Sequence, residues 1–165
     1  YCLITDLLYR KIYNHATITA ILIGLGINAI YFGYSGLTNS LLGLAIGFFP
    51  FFIIFLLGGI GAGDVKLMAA IGALKGFPFI IWAIIYTALS GGIISIVVMI
   101  WYGTLLSTLR NIWRTFISAV LPWLVMEPLK KESTPFLPYG VAICVGTFWA
   151  LFEEIYGVRG WLLGQ

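Results

Sequence analysis

Apolar residues in this chain run continuously over stretches near the roughly 20 residues a helix needs to cross a bilayer, broken by short glycine, proline or polar clusters. Tyr1–Tyr9 reads as the end of a helix, followed by the polar turn Arg10-Lys11-Ile12-Tyr13-Asn14-His15. Ile18–Tyr34 is a span of marginal length, Tyr34–Ser40 an uncharged polar turn, and Leu41–Leu57 a second span in which Pro50 predicts a kink. Gly58–Gly63 is too rich in glycine to favour a helix. A short helix is expected to start at Asp64 and fade by Gly76-Phe77-Pro78, and Phe79–Trp101 is the longest clean apolar run. Leu105–Leu121 follows another rule. Leu105, Leu109, Ile112, Phe116 and Val120 recur at helical spacing, with Ser107, Arg110, Asn111, Arg114 and Ser118 opposite. That pattern predicts an amphipathic helix, with Trp113 and Trp123 suited to the headgroup layer. Glu127–Pro138 is a charged, proline-containing loop, and Tyr139–Phe152 a last short span before a tail with Glu153, Glu154 and Arg159. Small-residue steps such as Gly43/Gly47, Ala69/Ala73 and Gly72/Gly76 predict close helix packing.

Composition supports the membrane reading. The 165 residues are 61% hydrophobic and 9% charged, with mean hydropathy +1.05. A soluble domain carries roughly 25% charged residues, so this chain cannot clothe itself for water. A β-barrel would show alternating strands of about 10 residues, and these runs do not alternate. The expected class is therefore all-α: one polytopic, membrane-embedded helical bundle over residues 1–165. A net charge of +3, dispersed along the chain, gives nucleic acid nothing to bind. Cys2 and Cys144 stand far apart in apolar surroundings and read as small buried hydrophobes. Because Tyr1–Leu8 looks like the tail of an apolar helix, a preceding segment holding most of a first helix is expected.

Charge sets orientation. Alternating sides across the spans gathers Arg10, Lys11, Lys66, Arg110, Arg114, Lys130 and Lys131 on one face, leaving Lys75 and Arg159 on the other. The basic face is expected to be cytoplasmic, and Asp6 and Asp64 both fall on it. An ionisable residue inside a membrane protein is costly, which makes each a candidate for function. Asp64 is the more exceptional, since it follows Gly58-Gly59-Ile60-Gly61-Ala62-Gly63. Alone, Asp64 reads as a helix N-cap, and Asp6 as a solvated acid paired with Arg10 one helical turn on. As a pair, each ending an apolar segment on one face, they suggest catalysis. Two carboxylates about 3 Å apart cannot both ionise, so one keeps its proton while the other activates water. Gly61 and Gly63 would let a substrate backbone approach closely. Irregular backbone at membrane depth is tolerated where it lines a water-filled cavity, and a hydrolase there needs such a cavity.

Other chemistries fit less well. Gly58–Lys66 faintly resembles a phosphate-binding loop, but Asp64-Val65 separates Gly63 from Lys66, no Ser or Thr follows, and the acid would repel a phosphate. His15 is the only histidine, which leaves a histidine metal site or a Ser-His triad little to work with. Lys66 reads as a snorkelling lysine or as a group that tunes the acids.

Gly61-Ala62-Gly63-Asp64-Val65-Lys66-Leu67 resembles the GxGD motif of the type IV prepilin peptidases. Asp6, with Arg10-Lys11-Ile12 and Asn14, is similar to that family's first aspartate segment, with Tyr13 where proline is usual. Leu137-Pro138-Tyr139-Gly140-Val141-Ala142 resembles the start of its last helix. The resemblance implies a bundle of about six transmembrane helices, the first largely missing here. It also implies an aspartyl endopeptidase in the cytoplasmic (inner) membrane, with Asp6 and Asp64 catalytic and Gly61 and Gly63 shaping the site. No metal or organic cofactor is implied. Partners would be the bilayer and prepilins or pseudopilins, cut between a short basic leader and a hydrophobic helix. The motif wording is most similar to stand-alone peptidases of tight-adherence pilus systems, and no CxxC pair of a methylating domain is present. Two alternatives stay open. One is a GxGD protease for preflagellins or signal-peptide remnants, since GxGD also occurs in presenilin-like proteases. The other is a small transporter that binds a proton or cation at Asp6 and Asp64.

Overall fold

A computed structural model describes residues 14–120 and 139–157. They form the helices α1 (Asn14–Leu56), α2 (Ala62–Lys75), α3 (Phe77–Trp101), α4 (Leu105–Val120) and α5 (Tyr139–Tyr156). No strand occurs among the described residues. This is an all-α architecture. Described residues up to Gly91 and from Tyr139 onward form one compact unit, and Gly92 to Val120 belong to a second.

α1 is two helices joined at one residue. Gly33, at φ 60° and ψ −142°, breaks the helical path, a conformation that a side chain would penalise. The chain doubles back there: a Cβ on Gly36 would sit 2.1 Å from the Asn28 carbonyl oxygen. The reversal therefore takes one residue rather than the polar turn expected over Tyr34–Ser40, and residues 34–40 are helical. Thr38, Asn39 and Ser40 need no loop because their side chains are satisfied in place. Thr38 Oγ1 donates to Ser35 O at 2.9 Å, Ser40 Oγ donates to Ala73 O, and Asn39 Oδ1 accepts from the Phe77 N–H at 3.1 Å. The dihedrals stay helical through Pro50, where the sequence suggests a kink.

The two limbs of α1 hold α2 between them. The first limb runs parallel to α2 and the second antiparallel. Contact is almost backbone to backbone: a Cβ on Gly24 would meet Ala73 C at 2.8 Å, one on Gly43 the Gly72 oxygen at 2.2 Å, and one on Gly47 the Met68 oxygen at 2.5 Å. Asn28 Nδ2 donates to Ala73 O at 3.3 Å and to Leu74 O at 3.2 Å. With Ser40, it satisfies last-turn carbonyls of α2 that lack helical partners. In a medium without water these groups would otherwise cost several kcal/mol each. Below this seam, Phe51 of α1 joins Val65 and Met68 of α2, Phe79, Ile80 and Ala83 of α3, and Ile143 and Ala150 of α5 in the buried core.

Gly76 (φ 82°) separates α2 from α3, and Pro78 occupies the first turn of α3, where a missing N–H is harmless. α3 meets α5 through another glycine: a Cβ on Gly146 would lie 2.3 Å from Thr87 N, and Ser90 Oγ donates to Ala142 O at 2.9 Å. At the end of α2 away from Asp64, Lys75 pairs with Glu154 of α5 at 2.7 Å.

α1 and α3 are long and apolar enough to cross a membrane, and only 17% and 11% of their most apolar windows are buried within the fold. Core helices of a soluble protein would be mostly buried, so these helices turn their apolar faces outward, as lipid contact requires. At 1.5 Å per residue the limbs of α1 measure about 28 and 34 Å and α3 about 37 Å, against a hydrocarbon core of about 30 Å. In the second unit, α3 ends in a tight Schellman corner. Gly103 (φ 67°) donates to Ile100 O at 3.1 Å and Thr104 to Met99 O at 3.0 Å.

The glycine seam predicts opposite signs for two alanine substitutions. Gly72→Ala puts a Cβ 2.0 Å from Gly43 O and should lower stability by about 1–3 kcal/mol. Gly26→Ala, with nothing within 4 Å of the new atom, should raise it by about 0.5–1 kcal/mol through helix propensity. Thermal unfolding in detergent checks both.

Candidate active site

The chain approaches Asp64 through a second Schellman corner. Gly58 (φ 76°) donates to Phe55 O at 2.9 Å and Gly59 to Ile54 O at 3.0 Å, which closes α1. Gly58, Gly59 and Gly61 are exposed, and α2 begins at Ala62. The helix thus starts two residues before the expected position, and Asp64 is not its N-cap but its third residue. There its carboxylate turns back: the Gly61 N–H donates to Asp64 Oδ2 at 3.2 Å while the Asp64 N–H donates to Gly61 O at 3.1 Å. This is the acid's half of a capping box; glycine has no side chain to supply the other half. A carboxylate in the first turn is also favoured by the helix dipole.

Asp64 is 8% exposed, between the wet loop and the core residues Val65 and Met68. Gly61 is held close to it, since a Cβ there would lie 3.3 Å from Asp64 Oδ2. Gly63 lies half-buried in the first turn. The structure therefore brings Gly61, Gly63 and Asp64 together, with the Gly61 N–H holding one oxygen of the acid. Asp6 lies outside the described residues, as does the Pro138 end of the last-helix motif.

One contact was not legible as a pairing in the sequence. Lys66 Nζ donates to Asn14 Oδ1 at 2.8 Å, and the buried Thr17 returns its hydroxyl to Asn14 O at 3.1 Å. Asn14 is the last residue of the Asp6 motif segment, and Lys66 lies two residues after Asp64. The sequence reads Lys66 as a snorkelling lysine or a group that tunes the acids; the signal for its partner is a polar side chain at the very start of an apolar helix. His15 is exposed, and its carbonyl accepts from Thr19 Oγ1 at 2.6 Å. Cys144 is a half-buried thiol in α5, and Cys2 lies outside the described residues. Among the described residues, no three His, Cys, Asp or Glu side chains are grouped to hold a metal ion.

The fold and this site describe an all-helical membrane protein with a buried aspartate at the mouth of a short, glycine-packed helix. Residues 1–96 match the model of the type IV leader peptidase family, more than half the chain, and the chain belongs to that family. It is thus a leader-peptidase-type protease, and the matched region contains both Asp6 and Asp64. No curated protein and no solved structure matches it.

The Lys66–Asn14 bond should appear as coupling. Lys66→Met and Asn14→Leu are each expected to destabilise, and the double variant to cost less than their sum by about 0.5–1 kcal/mol. A double-mutant cycle on unfolding in detergent measures it.

Proposed function

We propose that this protein is an aspartyl endopeptidase that removes the short basic leader from type IV prepilins or pseudopilins at the cytoplasmic face of the inner membrane, with Asp6 and Asp64 as its catalytic pair. The observation that carries this reading is the bond from Lys66 to Asn14 at 2.8 Å, which ties the end of the Asp6 segment to the first turns of the helix bearing Asp64. Asp6 precedes Asn14 by eight residues, a chain length of at most about 28 Å, so a meeting of the two acids is compatible with that tie. The family match supports the peptidase class, and the buried, backbone-held Asp64 supports its half of the pair.

The chemistry follows from two acids sharing a proton. The ionised carboxylate takes a proton from water as it attacks the scissile carbonyl carbon, and the protonated partner transfers its proton to the carbonyl oxygen. The resulting gem-diol collapses with proton transfer to the leaving amine, which breaks the C–N bond. Asp64 is held by the Gly61 N–H, so its carboxylate is oriented before substrate arrives. Gly61 and Gly63 leave room on that side for an extended peptide backbone, and no metal or organic cofactor is required.

Reconstitution with a prepilin and detection of leader removal tests the assignment. Asp6→Asn and Asp64→Asn should each abolish cleavage while leaving thermal unfolding near the parent value, and robust cleavage by either would sink the pair. EDTA should leave activity intact; its loss with EDTA and recovery with zinc would indicate a metalloprotease. Acid-dependent ion flux without a cleavage product would favour a transporter.

A further inference from the structure

The second unit carries a surface that peptide hydrolysis does not use. α4 turns Leu106, Leu109 and Trp113 outward, at 79%, 63% and 64% exposure. With Arg110 they line an open groove of about 830 Å³, a size that accommodates a ligand of substantial bulk. At 100° per residue these apolar positions fall on one side of α4, Ser107 and Asn111 fall on the other, and Arg110 marks the boundary. The end of α3 in the same unit is equally uncovered: Ile96, Val97, Ile100 and Trp101 are 52%, 52%, 61% and 87% exposed. So large an apolar surface marks an interaction site.

Charge and chain continuity say what covers it. From Gly92 to Val120 the charged residues are Arg110 and Arg114, with no Asp or Glu. A basic leader peptide is repelled by such a surface, whereas an anionic one is attracted. α3 is long and apolar enough to cross a membrane, and the Schellman corner at Gly103 turns the chain directly into α4, whose first residue is Leu105. Thr104 serves as the hinge of that corner: its carbonyl accepts the Thr108 N–H at 2.9 Å and Ser107 Oγ at 2.8 Å. α4 therefore starts where the chain leaves the hydrocarbon, at the level of the headgroups.

We propose that α4 is a docking surface for anionic phospholipid, lying in the membrane plane with Leu106, Leu109 and Trp113 among the acyl chains and Arg110 on a headgroup phosphate. A guanidinium suits that role because it presents paired N–H donors to phosphate oxygens. The proposed peptidase chemistry uses none of these residues, so this test does not depend on which aspartates cut.

The full chain, with Cys2 and Cys144 replaced by serine and a nitroxide attached through Leu106→Cys, is reconstituted in phosphatidylcholine vesicles with and without phosphatidylglycerol. Collision with oxygen and with a water-soluble nickel chelate reports the depth of the label. The expected result is a label shielded from nickel, more strongly when phosphatidylglycerol is present. Arg110→Gln should reduce the phosphatidylglycerol-dependent partitioning about fivefold, and Arg110→Lys should retain most of it. Raising salt on the chain with native Arg110 should mimic Arg110→Gln, which tests the same charge should that variant fail to fold. A label equally open to nickel in both lipids overturns the proposal. So does shielding that appears only with a basic leader peptide, or only as protein density in the vesicles rises.

Discussion

The close approach of α2 to α1 is the constraint on which the rest of this structure depends. A helix of 14 residues gains little from its own hydrogen bonds, since nucleation is costly and short helices are marginal. Its stability must come from packing. In lipid that packing has no hydrophobic drive, because acyl chains are as apolar as the side chains they would replace. What remains is dispersion at short range and interhelical hydrogen bonds. Gly24, Gly43, Gly47 and Gly72 bring backbones to distances no side chain would permit, and Asn28 and Ser40 take up the carbonyls at the end of α2. The two devices act together, since the hydrogen bonds are reachable only because the glycines remove the intervening bulk.

This seam also explains why the site sits at the mouth of α2. Asp64 is oriented by Gly61 N–H at 3.2 Å, but that bond fixes it only relative to its own helix. The helix in turn is fixed by the seam at its far half and by Lys66 on Asn14 at its near half. A carboxylate so held has little freedom left to lose, which is the condition that preorganised electrostatic catalysis sets for the role proposed for Asp64. The glycines at 58, 59 and 61 serve a different end from those in the seam. They are exposed and allow the sharp reversal out of α1, with Gly58 at positive φ.

Much of this was legible in the sequence, and the exceptions have physical causes. Continuous apolar runs marked the spans, and small-residue steps at Gly43/Gly47, Ala69/Ala73 and Gly72/Gly76 marked the faces that pack. The turn at Tyr34–Ser40 was misplaced because polar side chains signal a loop only when they have no partner. Asn39 and Ser40 find theirs on α2 and α3, and such long-range partners leave no local trace. The start of α2 was placed two residues late for a related reason. Glycine in a first turn costs helix propensity, and the acid bonding back to Gly61 offsets that cost. Gly58–Asp64 was readable as a candidate site from the cost of an acid in apolar surroundings alone. The Lys66–Asn14 bond was not, because it joins two polar residues far apart in sequence.

The two lysines of α2 carry a last consequence for how water reaches Asp64. Lys66 and Lys75 lie nine residues apart, about 13 Å along the axis. Each ammonium must stay hydrated or paired, and a lysine stem extends its charge by only about 6 Å. Even with both reaching outward, the charges stand no more than about 25 Å apart, less than the roughly 30 Å of hydrocarbon. At the Lys75 end, Glu154 at 2.7 Å supplies a counterion, which lowers the need for water there. At the Lys66 end the partner is the neutral Asn14 amide, which offers no compensating charge. The deficit therefore falls at the Asp64 end, where exposed glycines at 58, 59 and 61 put polar backbone in place of side chains. Hydration of Lys66 and the water that the chemistry proposed for Asp64 needs therefore make the same demand on that end of α2.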